Sequence, residues 1–186
     1  MRTSVLLTTA AISLFTSALA YAEPDSLSPP DRRDHSRVGA TIGLFTPNGE
    51  LGVEYAQALH PNAEIAVAAG YGAVVRVGPQ FSIMPRFHVR RGPVSLSLGA
   101  GLSAGKYNNI SPFADENAPE IPTLFGNAEA GLQYGMKRGP FARVFLGVGK
   151  GLAHDLKGVP DHQMDEVRME IDDAIPYAGL TVGSTL

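Results

Sequence analysis

From residue 37 to the C-terminus, apolar residues alternate with small or polar ones in eight stretches of about ten residues each. Val94, Leu96, Leu98, Ala100 and Leu102 interleave with Ser95, Ser97, Gly99, Gly101 and Ser103. A period of two sends the first set to one face of a strand and the second to the other. Helical packing has no use for that period, so the chain is confined to β architecture.

The stretches are separated by turn signals. Strand 1 is expected near Arg37–Phe45, with Val38, Ala40, Ile42 and Leu44 on one face. Thr46-Pro47-Asn48-Gly49 turns the chain, and its Asn-Gly pair suits the positive-φ positions of a hairpin. Strand 2 is expected near Glu50–Leu59, with Leu51, Val53 and Tyr55 opposite Glu54, and strand 3 near Glu64–Gly72. A short loop, Ala73–Pro79, precedes strand 4 near Gln80–Arg90. Pro85 falls inside strand 4, where it cannot donate to a ladder, so a bulge is predicted there. Strands 5 to 8 are expected near Val94–Lys106, Thr123–Gly135, Phe141–Gly151 and Asp173–Leu186. The tripeptide Arg-Gly-Pro at Arg91–Pro93 and again at Arg138–Pro140 opens two Gly-rich strands, as in successive hairpins of one meander.

Connection lengths add direction. The turns after strands 2, 4 and 6 are short, whereas Tyr107–Pro122 and His154–Glu170 are long and acidic. The connection after strand 1 is short as well, so the alternation is not perfect. Tight turns on the side of the termini and longer loops opposite are the pattern of an all-β, eight-stranded antiparallel up-and-down transmembrane β-barrel.

Residues 1–22 read as a signal peptide. Arg2 supplies the positive charge, Val5–Leu19 is mostly apolar, and Ala20-Tyr21-Ala22 is a cleavage site, with Ala18-Leu19-Ala20 a second one. The apolar run is short for an uncleaved spanning anchor. Residues 23–36, rich in Pro and charge, are expected to be a flexible periplasmic lead-in, leaving residues 37–186 for the barrel. The chain has no cysteine, so an exported protein gains no disulfide support. A formal net charge of −3 argues against nucleic acid as a partner.

With apolar faces toward lipid, Glu54, Arg86, His88, Glu129 and Arg143 point into the lumen. Eight strands leave an interior that side chains just fill. Charges there must be paired. A polar plug holding the barrel shut is favoured over a narrow gated pore, and both over an active site. Glycines on the same face (Gly70, Gly72, Gly99, Gly101, Gly131, Gly147 and Gly149) leave room for the long Arg chains. Tyr55, Tyr71, Phe81, Phe87 and Tyr134 are candidate interfacial anchors.

The C-terminus, from Ile175-Pro176-Tyr177 through Gly179 and Gly183 to Leu186, resembles the last strand of OmpA-like outer-membrane barrels. In that family a Pro-Tyr-x-Gly-x-x-x-Gly strand ends at an apolar residue and signals to the barrel-assembly machinery. The resemblance implies that Tyr177, Gly179, Gly183 and Leu186 serve here as the assembly signal, with Leu186 where an aromatic is usual. It covers Arg37–Leu186 and implies a location in the Gram-negative cell outer membrane. It does not imply the peptidoglycan-binding role that OmpA itself owes to a further domain.

Some barrels of this size deacylate lipid A with a His and a Ser two residues apart. No His-x-Ser occurs in this chain, and no enzyme activity is expected. Gly147–Gly151 lacks the spacing of a nucleotide-binding loop. His154, Asp155, Asp161, His162, Asp165 and Glu166 match no metal-binding pattern and are read as a solvated acidic loop. No metal or cofactor is expected. The expected role is structural or interactional, for a monomer. Its partners would be outer-membrane lipid or lipopolysaccharide, the assembly machinery, and surface partners met through loops 107–122 and 154–170. A narrow channel for small molecules is the first alternative. A soluble, lipocalin-like binding barrel with apolar faces inside is the second. The position of Glu54, Arg86 and Arg143 discriminates between the membrane barrel and the soluble one.

Overall fold

The structure is a computed structural model that describes residues 36–73, 76–91, 93–107, 121–135, 139–155, 164 and 173–186. The leader and residues 23–35 of the lead-in lie outside these residues, as do the metal-ligand candidates Asp161, His162, Asp165 and Glu166. Ser36, assigned to the lead-in, already belongs to the first strand.

Eight strands follow one another: β1 (Ser36–Leu44), β2 (Leu51–His60), β3 (Ala63–Ala73), β4 (Arg76–Arg91), β5 (Val94–Tyr107), β6 (Ile121–Gly135), β7 (Gly139–His154) and β8 (Ile175–Thr185). Each pairs antiparallel with its sequence neighbour, and β8 returns to β1 to close the barrel. Closure leaves no free strand edge, so all ladder donors and acceptors can be met within the wall. At the seam Ala40 faces Val182, and the Leu186 amide donates to the Ser36 carbonyl at 2.8 Å.

The period-two pattern becomes the two surfaces of the wall. Val53, Leu98, Leu132, Val144 and Leu146 are exposed on the outside, Leu146 to 68%. Their neighbours Glu54, Ser97, Arg143 and Phe145 are buried on the inside. This inverts a soluble barrel: the large aliphatic side chains are on the exterior and the charges within. The lipocalin-like alternative required the reverse and is overturned.

Three local expectations change. The β3–β4 connection is shorter than expected, because β3 runs to Ala73 and β4 starts at Arg76. The bulge predicted at Pro85 is absent there. Pairing with β5 keeps its register from Ile83↔Leu102 to Arg86↔Gly99. The register shift lies between Val77 and Phe81, around Gly78 (φ 76°) and Pro79. A proline does mark the irregularity, as its missing N–H requires, but the glycine beside Pro79 supplies the unusual backbone that Pro85 lacks. At the β1–β2 turn the positive φ values belong to Phe45 (58°) and Gly49 (82°) and not to Asn48. The turn folds inward, burying Thr46 and Asn48. A Cβ on Gly70 would collide with the Asn48 carbonyl, so the turn rests on a glycine of β3.

Candidate functional site

All five charged residues assigned to the interior are there, and all are buried. Arg86, on β4, reaches across the lumen to both acids. Its two terminal nitrogens donate to the two oxygens of Glu54 at 2.8 and 2.6 Å, and its Nε donates to Glu129 Oε1 at 2.6 Å. Arg143, on β7, meets the same two carboxylates from the other side, at 2.7 Å to Glu129 and 3.1 Å to Glu54. Each acid therefore bonds both arginines, and the four side chains form a closed ring contributed by four strands. The bidentate fork of Arg86 is the strong, planar geometry that guanidinium and carboxylate favour. Gly99 makes it possible: a Cβ there would sit 3.1 Å from both Arg86 Cγ and Glu129 Cγ. The Arg143 guanidinium also lies over the Phe145 ring, 4.4 Å from its centroid.

Two more ions, missed in the sequence, extend the ring toward the terminal end of the barrel. Glu64 lies 3.5 Å from Arg86 and 3.0 Å from His88 Nε2, and is paired with Arg37. Arg37 also donates to Gln133 and lies over the Phe141 ring, 5.3 Å from its centroid. Three arginines thus face three glutamates. The parity rule would have found both: Glu64 precedes Ala66 by two, and Arg37 precedes Gly39 by two. They sit at strand ends, where face assignments were not extended.

His88 joins this layer to the wall. Its Nδ1 is 3.1 Å from Ser95 Oγ and its Nε2 3.0 Å from Glu64 Oε1. The order Ser, His, Glu has the atoms of a nucleophile, a base and an orienting acid. The acid is engaged by two arginines, and Ser95 and His88 are 6% and 1% exposed. The cluster is a buried part of the ion lattice.

Above the ring, away from the termini, the lumen changes character. Asn127 Nδ2 donates to Ser103 Oγ at 2.9 Å. Beyond it Tyr107, Ile121 and Phe125 form an apolar cluster, against which Phe45, Met164 and Ile175 pack.

The four residues of the terminal-strand motif have separate surroundings. Tyr177 is turned into the lumen, where its hydroxyl donates to the Ala128 carbonyl at 3.2 Å and its ring meets Phe145 edge-on. A Cβ on Gly179 would run into that same Phe145 ring, and one on Gly183 into the β1 backbone at Val38. Leu186 is exposed. Of the aromatic anchors, Tyr55, Tyr71, Phe81 and Tyr134 are exposed on the outer wall and Phe87 is half-buried.

A closed eight-stranded antiparallel barrel, apolar outside and ion-paired within, has the architecture and polarity of the small transmembrane barrels. The chain is similar in structure to the N-terminal β-barrel domain of Pseudomonas aeruginosa OprF. The TM-score is 0.61 at 19% sequence identity, over 83% of this chain and 98% of that one. The resemblance to OmpA-like barrels therefore holds at the level of fold. No protein-family model and no curated protein sequence matches the chain.

Proposed function

We propose that this chain is an outer-membrane barrel, closed by its interior charge lattice, with a structural or surface-interaction role and no enzyme activity. The observation that carries the reading is the inverted polarity of the wall. An exterior dominated by large aliphatic side chains, over a lumen in which every described arginine side chain is matched by a carboxylate, suits lipid outside and no bulk water inside. In this reading residues 1–22 direct export, the terminal strand with Tyr177, Gly179, Gly183 and Leu186 engages the assembly machinery, and the ends of β5 and β7 carry their long loops outward.

The test is to express the chain with its leader in a Gram-negative host and compare boiled with unboiled outer-membrane fractions on a denaturing gel. A band that shifts on boiling is expected. A soluble periplasmic protein with no shift would overturn the reading. Planar-bilayer recordings then separate plug from channel. The intact protein should be nearly silent and Arg143→Ala should conduct, because that change opens one side of the ring. Steady conductance in the intact protein, unaltered by Arg143→Ala, would move the channel reading ahead.

A further inference from the structure

The outer wall carries a groove that the closed lumen does not explain. It lies at the loop end, has a volume of about 550 Å³, and is lined by Phe81 of β4, Ala104 and Lys106 of β5, Leu124 of β6, Ala153 of β7 and Asp155 beyond it. Two ladder irregularities border it. On one side is the register shift of β4 between Val77 and Phe81. On the other, β7 shifts register against β6 at Leu124 and Phe125, which pair with Ala153 and Gly151 and leave Leu152 as the extra residue. Leu152 and Ala153 therefore both face outward, and Leu152 leans over Gly126. Bulges re-aim side chains at such places. Between the two lies a floor of small residues, Ala104 and Gly105.

Charge is placed beside this groove. Among the strand residues whose side chains are described, Lys106 and Lys150 are the two of Asp, Glu, Lys and Arg that point outward. A lysine on the lipid face is costly at the bilayer midplane and nearly neutral near the interface, so such residues belong at the rim. Both stand toward the loop end of their strands, Lys106 paired with Pro122 and Lys150 with Gly126 on the β6 strand between them. That register sets them two strand spacings apart, about 10 Å, and about 13 Å along β6. A single small anion cannot meet two ammonium groups so far apart, whereas a broad headgroup with two anionic groups can. Asp155 at the mouth offsets one of the two positive charges.

We propose that this groove is a specific lipid site. It takes an acyl chain of a bis-phosphorylated, multiply acylated glycolipid, the chemistry of lipid A, with Lys106 and Lys150 on its two phosphates. The proposal rests on the outer-membrane reading above, which puts the loop end in the outer leaflet.

The experiment uses the full chain refolded in detergent micelles, with hexa-acylated lipid A as the probe and phosphatidylglycerol as the control, read by native mass spectrometry. One lipid A per barrel should be retained, in preference to phosphatidylglycerol. Lys106→Gln with Lys150→Gln should weaken retention at least tenfold. Ala153→Phe, which fills the groove and leaves both charges, should weaken it comparably. Each variant is first checked for the mobility shift on boiling. Retention of lipid A no better than phosphatidylglycerol, or unchanged in both heat-shifting variants, would overturn the site and leave the barrel reading standing. Failure of the unsubstituted chain to shift in any lipid or detergent would overturn both.

Discussion

The two ends of the lumen are closed by opposite chemistry. Toward the termini, Arg37, Arg86 and Arg143 interlock with Glu54, Glu64 and Glu129. Toward the loops, Tyr107, Ile121 and Phe125 pack without a formal charge. The apolar end gains from burial itself. The charged end gains nothing from burial: each ion must recover its lost hydration from partners, and it does so only when all partners are present. A chain can fill a narrow barrel either way, but the apolar plug can lose one member gradually, whereas the ion lattice is intolerant of single losses. The charged end is the half whose state one substitution can switch.

The largest effect should come from Arg86→Ala, which strips partners from two buried carboxylates at once. A loss of about 3–5 kcal/mol in unfolding free energy is expected from urea titration in vesicles. A loss below that of a truncation at the apolar end would break the contrast. Phe125→Ala should cost about 3 kcal/mol. Because it leaves no charge exposed, its cost should be independent of salt, whereas that of Arg86→Ala should vary with it. A double-mutant cycle between Glu129 and Arg143 should report a coupling of about 1–3 kcal/mol, while one between Arg86 and Phe125, which share no partner, should be additive within about 0.5 kcal/mol. Strong coupling in the second cycle would mean that the two closures form a single cooperative plug. The smallest effect is expected at the seam between them. Tyr177→Phe removes the hydroxyl bond to the Ala128 carbonyl and should lower stability by about 1 kcal/mol.

Much of this was legible in the residues. The alternation around Val94–Ser103 identified β5 and its inward face, and the same rule put Glu54, Arg86, His88, Glu129 and Arg143 on the face whose side chains are buried. It was incomplete at strand ends, where Arg37 and Glu64 are the second residues of β1 and β3, because turn signals give no residue-level boundary. It also misplaced the irregularity of β4. Pro85 and Pro79 are equivalent to the ladder as residues that lack a donor, and only the positive φ of Gly78 decides between them. The apolar cap at the loop end was invisible, since Tyr107 and Ile121 sit at the two ends of a long connection and meet only once β5 and β6 are paired.

By itself, the sequence determined the number of strands, their meander, and which residues share a face, because side-chain direction in a strand is fixed by the parity of position alone. The closed structure decided which charges touch. The partners in the ring come from β2, β4, β6 and β7, up to 89 positions apart for Glu54 and Arg143, and no local rule relates them. Their pairing depends on the stagger with which eight strands close. That is a property of the whole wall, and so are the groove between two bulges and the cap above the ring.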